Sequence, residues 1–360
     1  MFFRLSAFLD RQLNGSNWLF QVFIYSILGS VFLTYLGNFW YINQYFQEFI
    51  TIIKGGPASH ETWQFHWDTQ IWKSNHLFIP ANFDPKSHEA KIAFRFTIPL
   101  LLRLCQQKIE LVYFIQIGLG LYAYTLFLKI IHQITQERKI TFFFAMGVST
   151  LYFINSLHLE LLALGDSFAY SFLILGFYFS KNRFLSGVFL LAALLTDERS
   201  LIGGAMGIIL HYFIDEERYW DYFKTSAFAI LVYLFIRFLI YKKFGLITPA
   251  GGIEYAIFLE NLNHGLLIIY NAFKSYYIFY FFPIAIIVNK KTVLYTLFSI
   301  AFILSSFLVW DVTRSISFSF WGLLVGLYFM VHHIKNQSLI YGILIACMVS
   351  AMLNVTIIFP

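Results

Sequence analysis

Residues 192–204 read AALLTDERSLIGG, three charged side chains set between two stretches that otherwise look like membrane. The apolar run before them, 184–195, covers only about 18 Å as a helix, well short of a hydrocarbon core of roughly 30 Å. It cannot span alone. Either both flanking runs form one helix with Asp197, Glu198 and Arg199 near mid-bilayer, or two short helices meet at a polar tip near one surface. Charges at mid-bilayer cost several kcal/mol even on the gentlest insertion scale, whereas a surface tip costs little, so the hairpin is expected.

Outward from that tip the chain is strongly apolar. With 59% hydrophobic and 12% charged residues, and a mean hydropathy of +0.68, its 360 residues leave too little polar surface for a soluble globule. The expected class is all-α, a polytopic transmembrane helix bundle of about eleven spans. Apolar runs place spans near 18–40, 109–131, 140–157, 164–180, 225–243, 265–288, 292–309, 315–332 and 338–358, with two more around Asp197. No internal repeat, low-complexity tract or flexible linker divides the chain, so 1–360 reads as a single integral membrane domain.

The formal charge of +6 would suggest nucleic acid in a soluble protein, but here the basic residues mostly flank apolar runs and no basic run carries interleaved aromatics. No nucleic-acid partner is expected; the bilayer is. Arg4 and Arg11 precede an apolar stretch without a small-residue cleavage site, which reads as a retained first span. If its start lies inside, residues 41–108 form a long first extracytoplasmic loop. The connections HQITQERK (132–139), SKNR (180–183), DEERYWDYFK (215–224), NKK (289–291) and HHIKNQ (332–337) then share the inner side, and most are basic, as positive-inside bias predicts. Reading 184–214 as one span would invert everything after it. Cys105 and Cys347 are expected as two unpaired apolar-run residues.

Within the long loop, the apolar residues of INQYFQEFITII (42–53) recur at helical spacing, suiting a helix along the membrane surface. HETWQFHWDTQIW (60–72) is read as a loop dense in His, Trp and acid. HEAKIAFRFTIPLLLRL (88–104) is expected as a second interfacial helix, kinked at Pro99.

Acids and arginines collect on the proposed outer side: Glu61, Asp68, Glu89, Arg95, Glu160, Asp166, Asp197, Glu198, Arg199, Asp311 and Arg314. Span packing has no use for such groups, which makes them functional candidates. Each also has a plainer reading. Asp311 and Arg314 are three apart and would form an ion pair on one helical face. Arg237 and Lys274, inside spans, would snorkel or reach a lipid phosphate. His60, Glu61, His66 and Asp68 carry metal-donor chemistry, and His66-x-Asp68 converges if that segment is extended or turned, giving a weak site for a divalent cation such as Mg or Mn. GGAMG (203–207) lies in an apolar run and suits close helix packing, not phosphate binding.

The order of these features, with RFTIPLLLRL (95–104), LGDSFAYSFLILGFYF (164–179) and LLAALLTDERSLIGG (190–204), resembles the GT-C superfamily of polytopic glycosyltransferases over roughly the first 215 residues. The resemblance implies a bacterial inner-membrane enzyme of cell-envelope glycan synthesis. It would move a sugar from a polyprenyl-phosphate carrier to a lipid, glycan or protein acceptor on the extracytoplasmic side. Such members place a catalytic carboxylate early in the first outer loop. Here GNFWYINQ (37–44) has no acid, and the first candidates are Glu48, Glu61 and Asp68. The assignment is Asp68 as base, with Asp166, Asp197 or Glu198 orienting acceptor or metal. Arg95, Arg199, Arg314 and Lys274 are the phosphate contacts, because a guanidinium fork suits phosphate and a leaving phosphate needs cationic donors. A polyprenyl-linked glycan polymerase or ligase, a multi-span transporter and a non-catalytic scaffold are the competing classes.

Overall fold

The computed structural model describes residues 12–37, 39–56, 61–78, 93–160, 165–246, 255–309 and 311–353. Among these, every regular element is helical. Helix α1 (Trp18–Gly37) leads into α2 (Phe39–Ile53), then α3 (Glu61–Asn75) and α4 (Thr97–Leu104). Next come α5 (Ile109–Thr135), α6 (Arg138–Val148), α7 (Tyr152–Leu159), α8 (Asp166–Tyr178), α9 (Arg183–Thr196), α10 (Ser200–Ile214) and α11 (Glu216–Phe244). The last part holds α12 (Tyr255–Asn263), α13 (Gly265–Phe273), a 3₁₀ helix (Lys274–Tyr280), α14 (Phe282–Ile286), α15 (Lys290–Ser306), α16 (Val312–Ser317), α17 (Trp321–His333) and α18 (Gln337–Leu353).

Among the described residues two helices, α5 and α11, are long and apolar enough to cross a bilayer, and α6 with α7 make a third if that pair, bent by 75°, is one span. Other apolar runs are delivered as shorter helices: α9 has 14 residues and α10 has 15. The expected span at 140–157 is broken at 149–151, and that at 265–288 is interrupted by the 3₁₀ stretch starting at Lys274, whose φ is +48°.

The tip at 197–199 is a hairpin. Helix α9 ends at Thr196 and α10 starts at Ser200. Ser186 on α9 donates to the Gly176 carbonyl, while Asp166, at the other end of α8, meets Arg199. Phe177 then stacks on His211 at 4.2 Å. Thus α9 runs antiparallel to α8 and α10 returns parallel to it. Helix α11 runs back toward the tip: Tyr222 lies beside His211, and Arg237 beside Phe94.

Cross-contacts sort the connections into two ends. Lys129 lies over the Tyr178 ring, Arg183 pairs with Asp221, Lys291 lies over Tyr212, and Tyr341 bonds Glu137. These join 132–139, 180–183, 215–224, 289–291 and the start of α18 at one end. The opposite end gathers Arg95, Glu160, Asp166, the 197–199 tip and Asp311. Alternating helices from a basic end to an acid-and-arginine end is the arrangement that the loop charges predicted.

The core between these ends is aromatic and close-packed, with Phe127, Phe153, Tyr170, Phe177, Phe320 and Trp321 in mutual ring contact. Helices α5 and α7 touch backbone to backbone at Gly120, where a Cβ would sit 1.8 Å from the Leu157 carbonyl oxygen. Only glycine permits that crossing.

The surface segment differs from expectation in two places. Residues 61–75 form a helix, not a loop. Within the described part of the expected helix over 88–104, residues 93–96 are non-helical and a helix starts at Thr97, so Pro99 sits in its first turn, where its missing N–H has no intrahelical partner to lose and no kink follows. Its part before residue 93 lies outside the described residues, as do His60 and Glu89.

Candidate functional site

Three connections and one short strap bring charges to the acid-and-arginine end. The strap 93–96 is tied to the hairpin tip by Phe96 N–H to Leu195 O at 2.8 Å and by Thr97 to Thr196, hydroxyl to hydroxyl, at 2.6 Å. Lys73 on α3 donates to the Arg95 carbonyl at 2.7 Å, with its ammonium 5.1 Å from the Phe96 ring centre. Arg95 is thereby presented to the tip.

From there the charges alternate in a continuous chain. Arg95 makes a two-pronged contact with Glu198, at 3.2 and 2.9 Å, and its third nitrogen reaches Asp197 at 3.0 Å. Asp197 is gripped on both oxygens by Arg199 at 2.9 and 2.6 Å. Arg199 continues to Asp166 at 3.2 Å, and Asp166 is held on both oxygens by Arg314 at 2.5 and 2.8 Å. Arg314 ends the chain on Asp311 at 2.5 Å, with Arg199 3.5 Å from the same oxygen. The order is Glu198, Arg95, Asp197, Arg199, Asp166, Arg314, Asp311, four carboxylates against three guanidiniums.

Exposure divides the chain into a buried middle and two open ends. The Asp166 and Asp197 side chains have 0% exposure, whereas Glu198 retains 40% and Asp311 37%. Buried carboxylates this completely engaged are fixed anions. Burial alone would raise the Asp197 carboxyl; Arg199 and then Arg95 outweigh it and hold the group below the ordinary carboxylate range.

A second layer fixes Asp166. The Tyr152 hydroxyl donates to its Oδ2 at 2.5 Å. Gly165, at φ +89°, turns the chain into α8, and Glu160 accepts the backbone N–H groups of Gly165 and Ser167 at 2.9 and 2.7 Å. Burial, then the nearby Asp166, pushes the Glu160 carboxyl up to about 7. A folded-state value above the ordinary one adds stability present in full below about pH 4.5 and lost as pH rises through 7. Wild-type melting temperature should therefore fall between pH 5 and 8, a loss of about 2–3 kcal/mol. Glu160→Gln should flatten that slope in a detergent thermal-shift series; an unchanged slope would clear Glu160 of the effect.

Six of the residues expected at the site are brought together: Arg95, Asp166, Asp197, Glu198, Arg199 and Arg314. The expected Asp311–Arg314 pair forms too, as part of the larger chain. Asp68 is not brought to it. On α3, Trp67, Gln70, Lys73 and Ser74 are buried, Trp67 packing with Ile98 and Leu102, Ser74 bonding Gln107 and Lys73 reaching the strap, whereas Asp68 shares the exposed face with Glu61, Gln64, Phe65 and Asn75. That helical phase turns its carboxylate away from Arg95. The same helix puts His66 and Asp68 about 200° apart around its axis, so the two cannot converge on one ion. Among the described residues no group of three His, Cys, Asp or Glu side chains assembles a metal site. Lys274 is buried where α13 gives way to the 3₁₀ helix, with its ammonium 5.6 Å from the Tyr270 ring centre. Arg237 stacks on Phe94 at 4.2 Å. Cys105 and Cys347 are free thiols.

Sequence reasoning missed Tyr152 and Lys73 as supports. A tyrosine among 23 and a lysine in an aromatic segment carried no distinguishing signal.

No protein-family model, curated protein or solved structure matches this chain.

Proposed function

We propose that this is a membrane glycosyltransferase that takes a sugar from a polyprenyl-phosphate carrier at the extracytoplasmic side. One observation carries the reading: the charged chain lies at the end of the bundle opposite the basic connections, buried in the middle and open at two carboxylates. We read the basic connections as cytoplasmic, which would put the charged chain on the extracytoplasmic side of what we take to be a bacterial inner membrane.

In the proposed reaction the acceptor hydroxyl oxygen bonds to the anomeric carbon as the bond from that carbon to the carrier phosphate breaks. The bonding pair leaves with the phosphate, and the hydroxyl proton passes to a carboxylate. Asp311 is the better base than Asp68. Its Oδ2 faces the guanidiniums while the side chain stays partly open to solvent. Glu198, with both oxygens on Arg95, serves as a placeholder that the carrier phosphate displaces. Arg95 and Arg199 then face the leaving phosphate, and Asp166 and Asp197 hold the guanidiniums in place.

The test needs no knowledge of the sugar. A long-chain polyprenyl phosphate, the common product, should raise the melting temperature of the purified protein, and Arg95→Gln should abolish the rise. Absence of any response in the wild type would remove this reading. A transporter is the second reading, because the α6–α7 bend and the 3₁₀ interruption at 274–280 are breaks that carriers use to build binding sites. It predicts solute flux in sealed vesicles and no thermal response to polyprenyl phosphate.

A further inference from the structure

Glu160 is a buried carboxylate at the acid-and-arginine end that has no arginine of its own. It is 8% exposed, and its two oxygens accept the backbone N–H groups of Gly165 and Ser167 at 2.9 and 2.7 Å. The guanidiniums of the charged chain are committed elsewhere: Arg314 holds Asp166 and Asp311, and Arg199 holds Asp197 and Asp166. Gln116 on α5 donates to the Glu160 carbonyl oxygen at 2.6 Å, which fixes the backbone from which the side chain extends. Two amide donors favour the ionised carboxyl, and burial without a paired cation favours the neutral one.

The two amides flank Asp166 in sequence, so the Glu160 carboxyl lies against the turn that aims Asp166 at Arg199 and Arg314. The titratable and charged groups around it are Asp166 on α8, Tyr152 and the buried His158 on α7, and Arg314 on α16, while α5 presents the uncharged Gln116. Arg314 is therefore the cation whose field Glu160 shares with Asp166. A phosphate facing Arg199 draws on the same positive charge, because Arg199 and Arg314 meet on Asp166 Oδ1 at 3.2 and 2.8 Å. At an effective dielectric of about 20, a unit charge brought within about 10 Å of a carboxyl raises or lowers its proton affinity roughly tenfold. Burial and then Asp166 push the Glu160 carboxyl up to about 7, so a change of that size falls where the group titrates.

We propose that Glu160 takes up a proton when a phosphate binds to Arg95 and Arg199, so that anion binding and protonation of this carboxyl favour each other across Asp166. The inference rests on the carrier-phosphate reading above and adds to it a proton, drawn from solvent, that the site gains with the carrier and gives up when the carrier leaves. No bond to carbon forms or breaks in this step. Glu160 touches neither carrier nor acceptor; it acts through Asp166 and the two guanidiniums that Asp166 holds.

The experiment is calorimetric titration of the full-length protein with a long-chain polyprenyl phosphate in matched detergent near pH 7.5, in two buffers of different ionisation enthalpy, whose comparison counts the protons taken up. Wild type should take up about half a proton more than Glu160→Gln, since a tenfold rise in proton affinity carries a group titrating near 7 from about one-quarter to about three-quarters protonated. Titration of the phosphate itself is common to both proteins and cancels. Between about pH 6 and 9 the apparent affinity of wild type should weaken roughly tenfold relative to that of Glu160→Gln. A merely structural role for Glu160 would change affinity by the same factor at every pH and leave the proton count alone. If Glu160→Gln does not fold, infrared difference spectra of wild type decide: adding the polyprenyl phosphate should convert carboxylate absorption into carboxylic-acid absorption. Heat of binding with equal proton counts in the two proteins, or with no carboxylic-acid band in wild type, overturns the inference and leaves the carrier reading standing. No heat of binding in wild type overturns the carrier reading, and this inference with it.

Discussion

Asp166→Asn should be among the most damaging changes at the charged chain, lowering stability by about 3–5 kcal/mol, as breaking a buried ion pair typically does. Asp166 has no solvent exposure and is contacted by Arg199, Arg314 and Tyr152. An amide keeps the shape and removes the negative charge, leaving two guanidiniums facing each other in a dry site. The measurement is the melting temperature, with monodispersity after detergent extraction. Asp68→Asn, on the exposed face of α3, is the control and should melt within about 0.5 kcal/mol of wild type. Equal melting of wild type and Asp166→Asn would mean that water screens the chain and that its charges are not fixed in the way proposed. A compensating double change, Asp166→Asn with Arg314→Met, should recover part of the loss, since it removes one unpaired cation together with its anion.

The second large effect concerns turnover and not folding. Asp311→Asn should melt close to wild type, because its carboxylate is an open end of the chain at 37% exposure, while sugar transfer falls by about 10²–10⁴ if it is the general base. Glu198→Gln should behave differently. In the proposed reaction, loosening Glu198 makes Arg95 easier for a carrier phosphate to occupy, so the change should appear in KM for the carrier with kcat nearly intact. Measured side by side, the two variants separate base from placeholder. If Glu198→Gln loses kcat and Asp311→Asn keeps it, the two roles are exchanged; if both keep it, the base lies elsewhere.

The site was legible where membrane physics leaves few choices. A twelve-residue run cannot cross hydrocarbon, and Asp197, Glu198 and Arg199 cannot rest at its centre, so the hairpin followed from length and charge alone. The same argument singled out Arg95, Asp166 and Arg314 before any contact was known. Loop charges predicted which connections share an end. What failed was orientation inside the surface segment. ETWQFHWDTQIWKSN lacks a clean apolar stripe, because its buried face includes Gln70, Lys73 and Ser74, so it did not announce itself as a helix. Without the helix, Asp68 and His66 have no fixed direction, and an extended or turned segment would let them converge. The interruption at Lys274 was likewise hidden, since a 3₁₀ stretch keeps the apolar composition of the helices around it.

The wide sequence separation of the charged chain bears on how the protein is made. Its members come from the strap, the start of α8, the hairpin tip and the start of α16, and Arg314 meets Asp166 across 148 residues. A nascent chain emerging from the ribosome presents Asp166 and the tip long before Arg314 exists. Until Arg314 is made, Asp166 has only Arg199 and Tyr152 to hold it, so the chain of charges closes only once the C-terminal third is in place.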